Sequence, residues 1–121
     1  MRIKKLRQVF IATDDVAARI PFYENVLGLQ LQFRDGDRWA QFKAGDISIA
    51  LASREESMGA PLDVPVPVLE VDDLDAALEE LRSLGRETGD VRDMGSHGRT
   101  AAVRDPSGAF LVLFAKGSPS S

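Results

Sequence analysis

A chain of 121 residues, 44% hydrophobic and 28% charged, is long enough to bury a core and reads as one domain spanning 1–121. The formal net charge of −4 and a pI near 4.9, with lysines and arginines scattered, exclude the clustered positive footprint of a nucleic-acid binder. No apolar run approaches the roughly 20 residues of a membrane span, the absence of cysteine excludes disulfides and thiol chemistry, and the basic N-terminus lacks the apolar stretch of a secretory signal, so a cytoplasmic protein is expected.

The first element is a strand over residues 6–13, in which Val9 and Ile11 share one face while Gln8, Phe10 and Ala12 share the other. Thr13-Asp14-Asp15 supplies side-chain oxygens to cap a helix that runs to about Leu27, and Gly28 permits the left-handed turn that ends it. Pro21 falls inside this helix and predicts a kink, or a regular part that starts near it. Ile20, Tyr23 and Leu27, at i, i+3 and i+7, are expected to face a sheet. Gln30–Arg34 alternates polar and apolar residues, and the turns Asp35-Gly36-Asp37 and Ala44-Gly45-Asp46 set off further strands at Trp39–Lys43 and Ile47–Ala52. The result is a βαβββ unit over about 6–52.

Residues 53–65, SREESMGAPLDVP, have no period and read as a linker. The pattern then restarts over about 66–115. Val66–Val71 is a strand whose Pro67 implies an edge or an unpaired position. Asp72-Asp73 caps a helix with Leu74, Ala77, Leu78 and Leu81 on one face, and Leu84-Gly85 ends it as Leu27-Gly28 ended the first. Strands are expected at 87–92, 100–104 and 109–115, followed by a disordered tail over 116–121. A repeated supersecondary unit implies that neither copy buries its sheet alone. Two sheets with helices on their outer faces would enclose a cavity between their inner faces.

Four motifs carry a family resemblance: the Asp-containing turn after the first strand, Phe22-Tyr23 with Val26-Leu27-Gly28, Val71-Asp72-Asp73-Leu74-Asp75-Ala76-Ala77, and Arg104-Asp105-Pro106-Ser107-Gly108. In this order, over about residues 6–115, the chain resembles the vicinal oxygen chelate superfamily of glyoxalase I, bleomycin-resistance proteins and extradiol dioxygenases. The resemblance implies an α+β fold of two βαβββ modules related by a pseudo-two-fold axis, with mixed sheets curving around a central cavity. It also implies a homodimer. The modules pair within one chain or across a subunit interface, and a linker of this length permits either.

Metal-dependent members of that family place His, Gln or Glu ligands on inward faces of the first and last strands of each module, where a divalent ion chelates vicinal oxygens. The matching positions here are Gln8, Ala50, Val66 and Val112, with Val9, Ile49, Leu51, Pro67, Leu111 and Leu113 as neighbours. One amide and aliphatic groups cannot hold such a cation, so no metal and no cofactor are expected.

Candidate ligand-binding residues follow from strand register. Trp39 and Gln41 alternate away from Phe42, so if Phe42 packs beneath the helix, Trp39 lines the cavity and can stack on a planar or cationic ligand; otherwise it is an ordinary half-buried aromatic. Phe10, Val66, Val68, Phe110, Val112 and Phe114 share the inward faces, as pocket wall or plain core filling. Gln8 and Glu70 offer hydrogen bonds there, and Arg104 and Lys43 offer charge near strand ends, unless they form structural pairs. His97, the single histidine, lies in a Gly-flanked loop without relay partners, and the Asp pairs at 14–15 and 72–73 are helix caps. No catalytic residue is assigned. The expectation is a metal-free small-molecule binding protein of the bleomycin-resistance type that sequesters a hydrophobic or planar ligand such as an antibiotic. The alternatives are a lyase, isomerase or dioxygenase of the same superfamily with an atypical or absent metal site, or an accessory domain whose interior is filled by its own side chains.

Overall fold

The structure is a computed structural model that describes residues 1–117. The expected tail over 116–121 lies mostly outside the described residues. The chain divides into two compact units, Arg7–Pro67 and a second made of Met1–Leu6 with the chain from Val68 onward. Both are α+β, and each builds a four-stranded mixed array with one principal helix.

In the first unit, strand β1 (Ile3–Ala12, of which residues 7–12 belong here) leads into helix α1 (Val16–Pro21). The start of α1 is held by side chains: the Asp15 carboxylate accepts the Ala18 N–H at 3.0 Å, and Thr13 Oγ1 accepts the Asp15 N–H at 3.2 Å. Pro21 ends the α-helical hydrogen bonding, and Phe22–Val26 continue as a π turn in which the Leu27 N–H reaches the Phe22 carbonyl at 3.0 Å. This corrects one expectation. Ile20 is buried and Tyr23 stacks on Phe42 with centroids 5.6 Å apart, but Leu27 is 53% exposed. Each residue of a π turn advances less around the axis than an α-helical residue, so by Leu27 the sheet-facing stripe has rotated away.

Strands β2 (Gln30–Asp35), β3 (Trp39–Ala44) and β4 (Ile47–Ala52) form an antiparallel meander, and β1 joins β4 in parallel, giving the order β2-β3-β4-β1. The helix side of this sheet packs Val16, Ile20, Ala40, Phe42 and Leu51, flanked by Ile11, Tyr23, Leu29 and Leu31. Burial of Val16, Ile20, Phe42 and Leu51 contributes about 1.5–3 kcal/mol each. The aperiodic stretch after β4 contains a 3₁₀ turn (Arg54–Glu56) and is strapped to its unit. Arg54 pairs with Asp14, Arg38 with Glu56 at 2.6 Å, and the Asp63 N–H donates to the Ala12 carbonyl at 2.9 Å.

The second unit repeats the connectivity. Strand β5 (Pro65–Val71, of which residues 68–71 belong here, its register to the next neighbour starting at Val68) leads into helix α2 (Leu74–Ser83). Asp73 caps α2 by accepting the Ala76 N–H at 3.1 Å, while Leu74, Ala77 and Leu78 face inward as their spacing predicts. Strands β6 (Arg92–Asp93), β7 (Arg99–Arg104) and β8 (Phe110–Ala115) complete the order β5-β8-β7-β6, with β5 and β8 parallel. The core beneath α2 comprises Val71, Leu74, Ala77, Leu78, Ala101, Val103, Leu113 and Ala115.

The strand expected at 87–92 is a second correction. It shrinks to Arg92–Asp93, preceded by a single bridge from Thr88 to Val103. The Gly89 N–H donates to the Ala102 carbonyl at 2.7 Å, and Gly89-Asp90 are poor strand formers that interrupt the ladder.

Candidate functional site

Because α1 covers the Phe42 side of the first sheet, the opposite face carries the alternate residues of each strand. Register places them in rows, since paired residues point to the same side. Gln8 sits beside Ser48, Phe10 beside Ala50 and then Gln41, and Ala12 beside Ala52 and then Trp39. The Gln8 amide donates to Ser48 Oγ at 2.8 Å. Phe10 and Trp39 approach at 6.3 Å between centroids, tilted by 39°, and the small Ala50 and Ala52 separate them across β4. The indole N–H of Trp39 donates to Gln41 Oε1 at 3.1 Å, and Gln41 Nε2 donates to Gln32 Oε1 at 3.3 Å. Four of the sequence-predicted residues, Gln8, Phe10, Trp39 and Gln41, therefore share one face.

Two residues of that face were not among the candidates. Strict alternation along β2 would put Phe33 with Leu31 on the helix side, where Leu31 pairs with Phe42. A bulge between Leu31 and Phe33 shifts the register so that Phe33 pairs with Gln41 and turns to the helix-free side, 56% exposed. Gln32, within the bulge, meets Gln41. No residue in LQFRD announces a bulge, so only the pairing reveals it.

In the second unit the face opposite α2 carries Val68, Val112 and Ala102 in one row and Glu70, Phe114 and Thr100 in the next. Val66 lies on the same side of β5 as Val68 and is fully buried. Phe110 is half-buried, and Arg104, its cross-strand partner, holds its guanidinium 5.3 Å from the Phe110 ring centroid. Arg104 also donates to the Gly108 carbonyl at 3.1 Å and stands 3.7 Å from Glu87. Glu70 is 1% exposed and Lys4 Nζ lies 3.5 Å from its carboxylate. The Lys4 ammonium is held above its ordinary pKa, first by its hydrogen bond to Asp72 and then by Glu70. Thr100 Oγ1 is buried without a hydrogen-bond partner. The Phe114 ring lies over the backbone of Gly98, where an added Cβ would sit 2.6 Å from it. His97 occupies an exposed 3₁₀ turn (Gly95–His97).

The residues at the expected metal positions do not fit a divalent ion. Gln8, whose nitrogen donates to Ser48, offers a single amide oxygen, and Ala50, Val66 and Val112 have no donor atoms on their side chains. Among the described residues no group of three or more His, Cys, Asp or Glu side chains gathers. What the first unit's face does offer is aromatic surface beside amides whose polarity is set by a chain of hydrogen bonds. Such a surface can bind and orient a molecule.

The chain is similar to known proteins along nearly its full length. An uncharacterized protein of Mycolicibacterium smegmatis is 31% identical over 115 residues, covering 91% of this chain and 92% of that one. Among solved structures, methylmalonyl-CoA epimerase from Mycobacterium tuberculosis superposes with a TM-score of 0.76 at 22% identity, covering 98% of this chain and 91% of that one. Homoprotocatechuate 2,3-dioxygenase from Brevibacterium fuscum superposes with a TM-score of 0.72 at 20% identity over 96% of this chain but 37% of that one. At these identities the two structures establish a shared fold. Residues 5–113 match the family model described as Glyoxalase/Bleomycin resistance protein/Dioxygenase superfamily, and the chain belongs to that superfamily.

Proposed function

We propose that this protein binds a hydrophobic or planar small molecule without a metal ion and breaks no bond in doing so. The observation that carries the reading is the helix-free face of the first unit, where Phe10 and Trp39 share one side of the sheet with Gln41 and Gln8, and of these only Gln8 falls at a position where metal-dependent members of the superfamily place a ligand. Aromatic surface with a few oriented polar groups is the usual composition of a small-molecule site. Val66, Val68, Glu70, Arg104, Phe110 and Val112 are the candidates the second strand set adds to this reading. Sequestration of a compound such as an antibiotic is the biological role it suggests. No helix among the described residues is long and apolar enough to cross a membrane, and a cytoplasmic site of action is part of the proposal.

A homodimer belongs to the same proposal. Its support is the apolar turn Phe22, Val26 and Leu27, all more than half exposed at 51%, 71% and 53%. Sedimentation of the purified chain measures it directly.

The experiment that tests the binding reading is thermal melting of chelator-stripped protein with and without Ni, Zn, Mn and Fe(II), together with metal analysis of untreated protein. The expected result is no stoichiometric metal and no shift in Tm. A bound metal that raises Tm would overturn it and bring lyase, isomerase or dioxygenase chemistry forward.

A further inference from the structure

The indole nitrogen of Trp39 can only donate, and this fixes the direction of a whole chain of amides. The atom it meets on Gln41 must be the oxygen, at 3.1 Å, so the Gln41 nitrogen faces Gln32, whose oxygen accepts at 3.3 Å. Polarity therefore runs one way, and the row ends on the Gln32 amide nitrogen. Among the described residues its two N–H bonds have no protein acceptor, and Gln41 Nε2 keeps one N–H to spare. Beside this row the β2 bulge has turned Phe33 to the same side as Gln41 and Trp39. Phe33 is 56% exposed, so its ring is accessible from solvent.

We infer that Trp39, Phe33, Gln41 and Gln32 form one subsite, an aromatic platform edged by outward N–H donors, and that it takes a planar ring ligand that is neutral or anionic and carries a carbonyl oxygen or unprotonated ring nitrogen on its edge. This rests on the binding reading above and narrows its ligand class. Aromatic faces alone would also attract cations. The donor row opposes them, because N–H dipoles pointing at a positive ring are repulsive, while a carbonyl edge completes the chain. The bulge is what makes the subsite, since without it Phe33 would stand on the helix side beside Leu31.

The protein has a single tryptophan, so the indole N–H resonance of Trp39 is one assignable NMR signal. Three ring compounds of matched size are titrated against the full chain: 4-quinolone, naphthalene and N-methylquinolinium. The expected order of affinity is 4-quinolone first and the cation last. Gln32→Leu, at an exposed position, weakens 4-quinolone three- to tenfold, the range of one hydrogen bond. It leaves naphthalene unchanged, while Phe33→Ala weakens both. Unchanged melting of both variants shows that the fold is intact. If the cation binds as tightly as 4-quinolone, or Gln32→Leu changes nothing, the donor-edged platform is wrong, yet a ring is still bound at Trp39 and the broader binding reading stands. If none of the three moves the resonance, the subsite is refuted, and the broader reading is judged by the metal experiment. If Phe33→Ala instead converts a dimer to monomer by sedimentation, the platform is a contact between copies and the inference falls.

Discussion

Gly98 offers the sharpest test of how the second unit is packed. It adopts φ 101° and ψ −173°, a conformation open essentially to glycine, and a Cβ placed there would lie 2.6 and 2.7 Å from two Phe114 ring carbons and 2.7 Å from the Ala115 carbonyl oxygen. Gly98→Ala therefore carries two penalties, about 1–3 kcal/mol of backbone strain and about 1–3 kcal/mol of overpacking. Gly108 is the control, with φ 91° and open space around the missing Cβ. Gly108→Ala carries only strain. With a shift of roughly 3–6 °C per kcal/mol for a chain of this size, the combined ~2–6 kcal/mol lowers Tm of Gly98→Ala by roughly 6–36 °C, and Gly108→Ala by about half as much. The cause is isolated by a double-mutant cycle in urea denaturation. In a Phe114→Leu background the ring atoms are gone, and the cost of Gly98→Ala drops by about 1 kcal/mol or more. Strict additivity of the two substitutions would refute the claim that the ring rests on the Gly98 backbone.

Two further outcomes follow from the helix caps and the surface ion pairs. Asp15→Ala and Asp73→Ala each remove the acceptor for a helix N-terminal N–H and lower stability by about 1 kcal/mol, read from urea midpoints. Asp75 is held below its ordinary carboxylate value of 3.8 by its two hydrogen bonds to the Arg99 guanidinium, at 3.0 and 2.9 Å. Its folded-state pKa is depressed, so its contribution is present above about pH 4 and disappears as pH falls through the folded value. Denaturation curves of Asp75→Asn and the unaltered protein are expected to differ at neutral pH and to approach one another as pH falls below the ordinary carboxylate value; a constant offset throughout would contradict the assignment.

Much of the candidate face was legible because strand alternation is a two-residue code. Once Phe42 is assigned to the helix side, Trp39 and Gln41 must take the other, and the same logic placed Phe10 with Gln8 and Val112 with Val68. The caps Asp15 and Asp73 were equally readable, since their chemistry is local. What escaped lies where the period changes without a marker. The β2 bulge slips the alternation by one residue and moves Phe33 across the sheet, although its residues are ordinary strand formers. The π turn after Pro21 changes the angular step per residue, so Leu27 left the face that a 3.6-residue period assigns it. Around Gly89 the backbone follows β7 at only two points, a pairing decided by the neighbouring strand rather than by the segment's own sequence.

The parallel closing strand of each unit also favours an order of assembly. In the first unit β2, β3 and β4 are joined by short turns and can zip by local contacts on the microsecond scale of hairpins. Strand β1 must instead find β4 across the whole meander, Gln8 meeting Ser48, which costs about 3 kcal/mol of loop-closure entropy before any ladder bond offsets it. The second unit repeats the arrangement, with Val68 meeting Val112. Each three-stranded meander is therefore expected to form first, and the strand that comes first in its unit's sequence to be seated last.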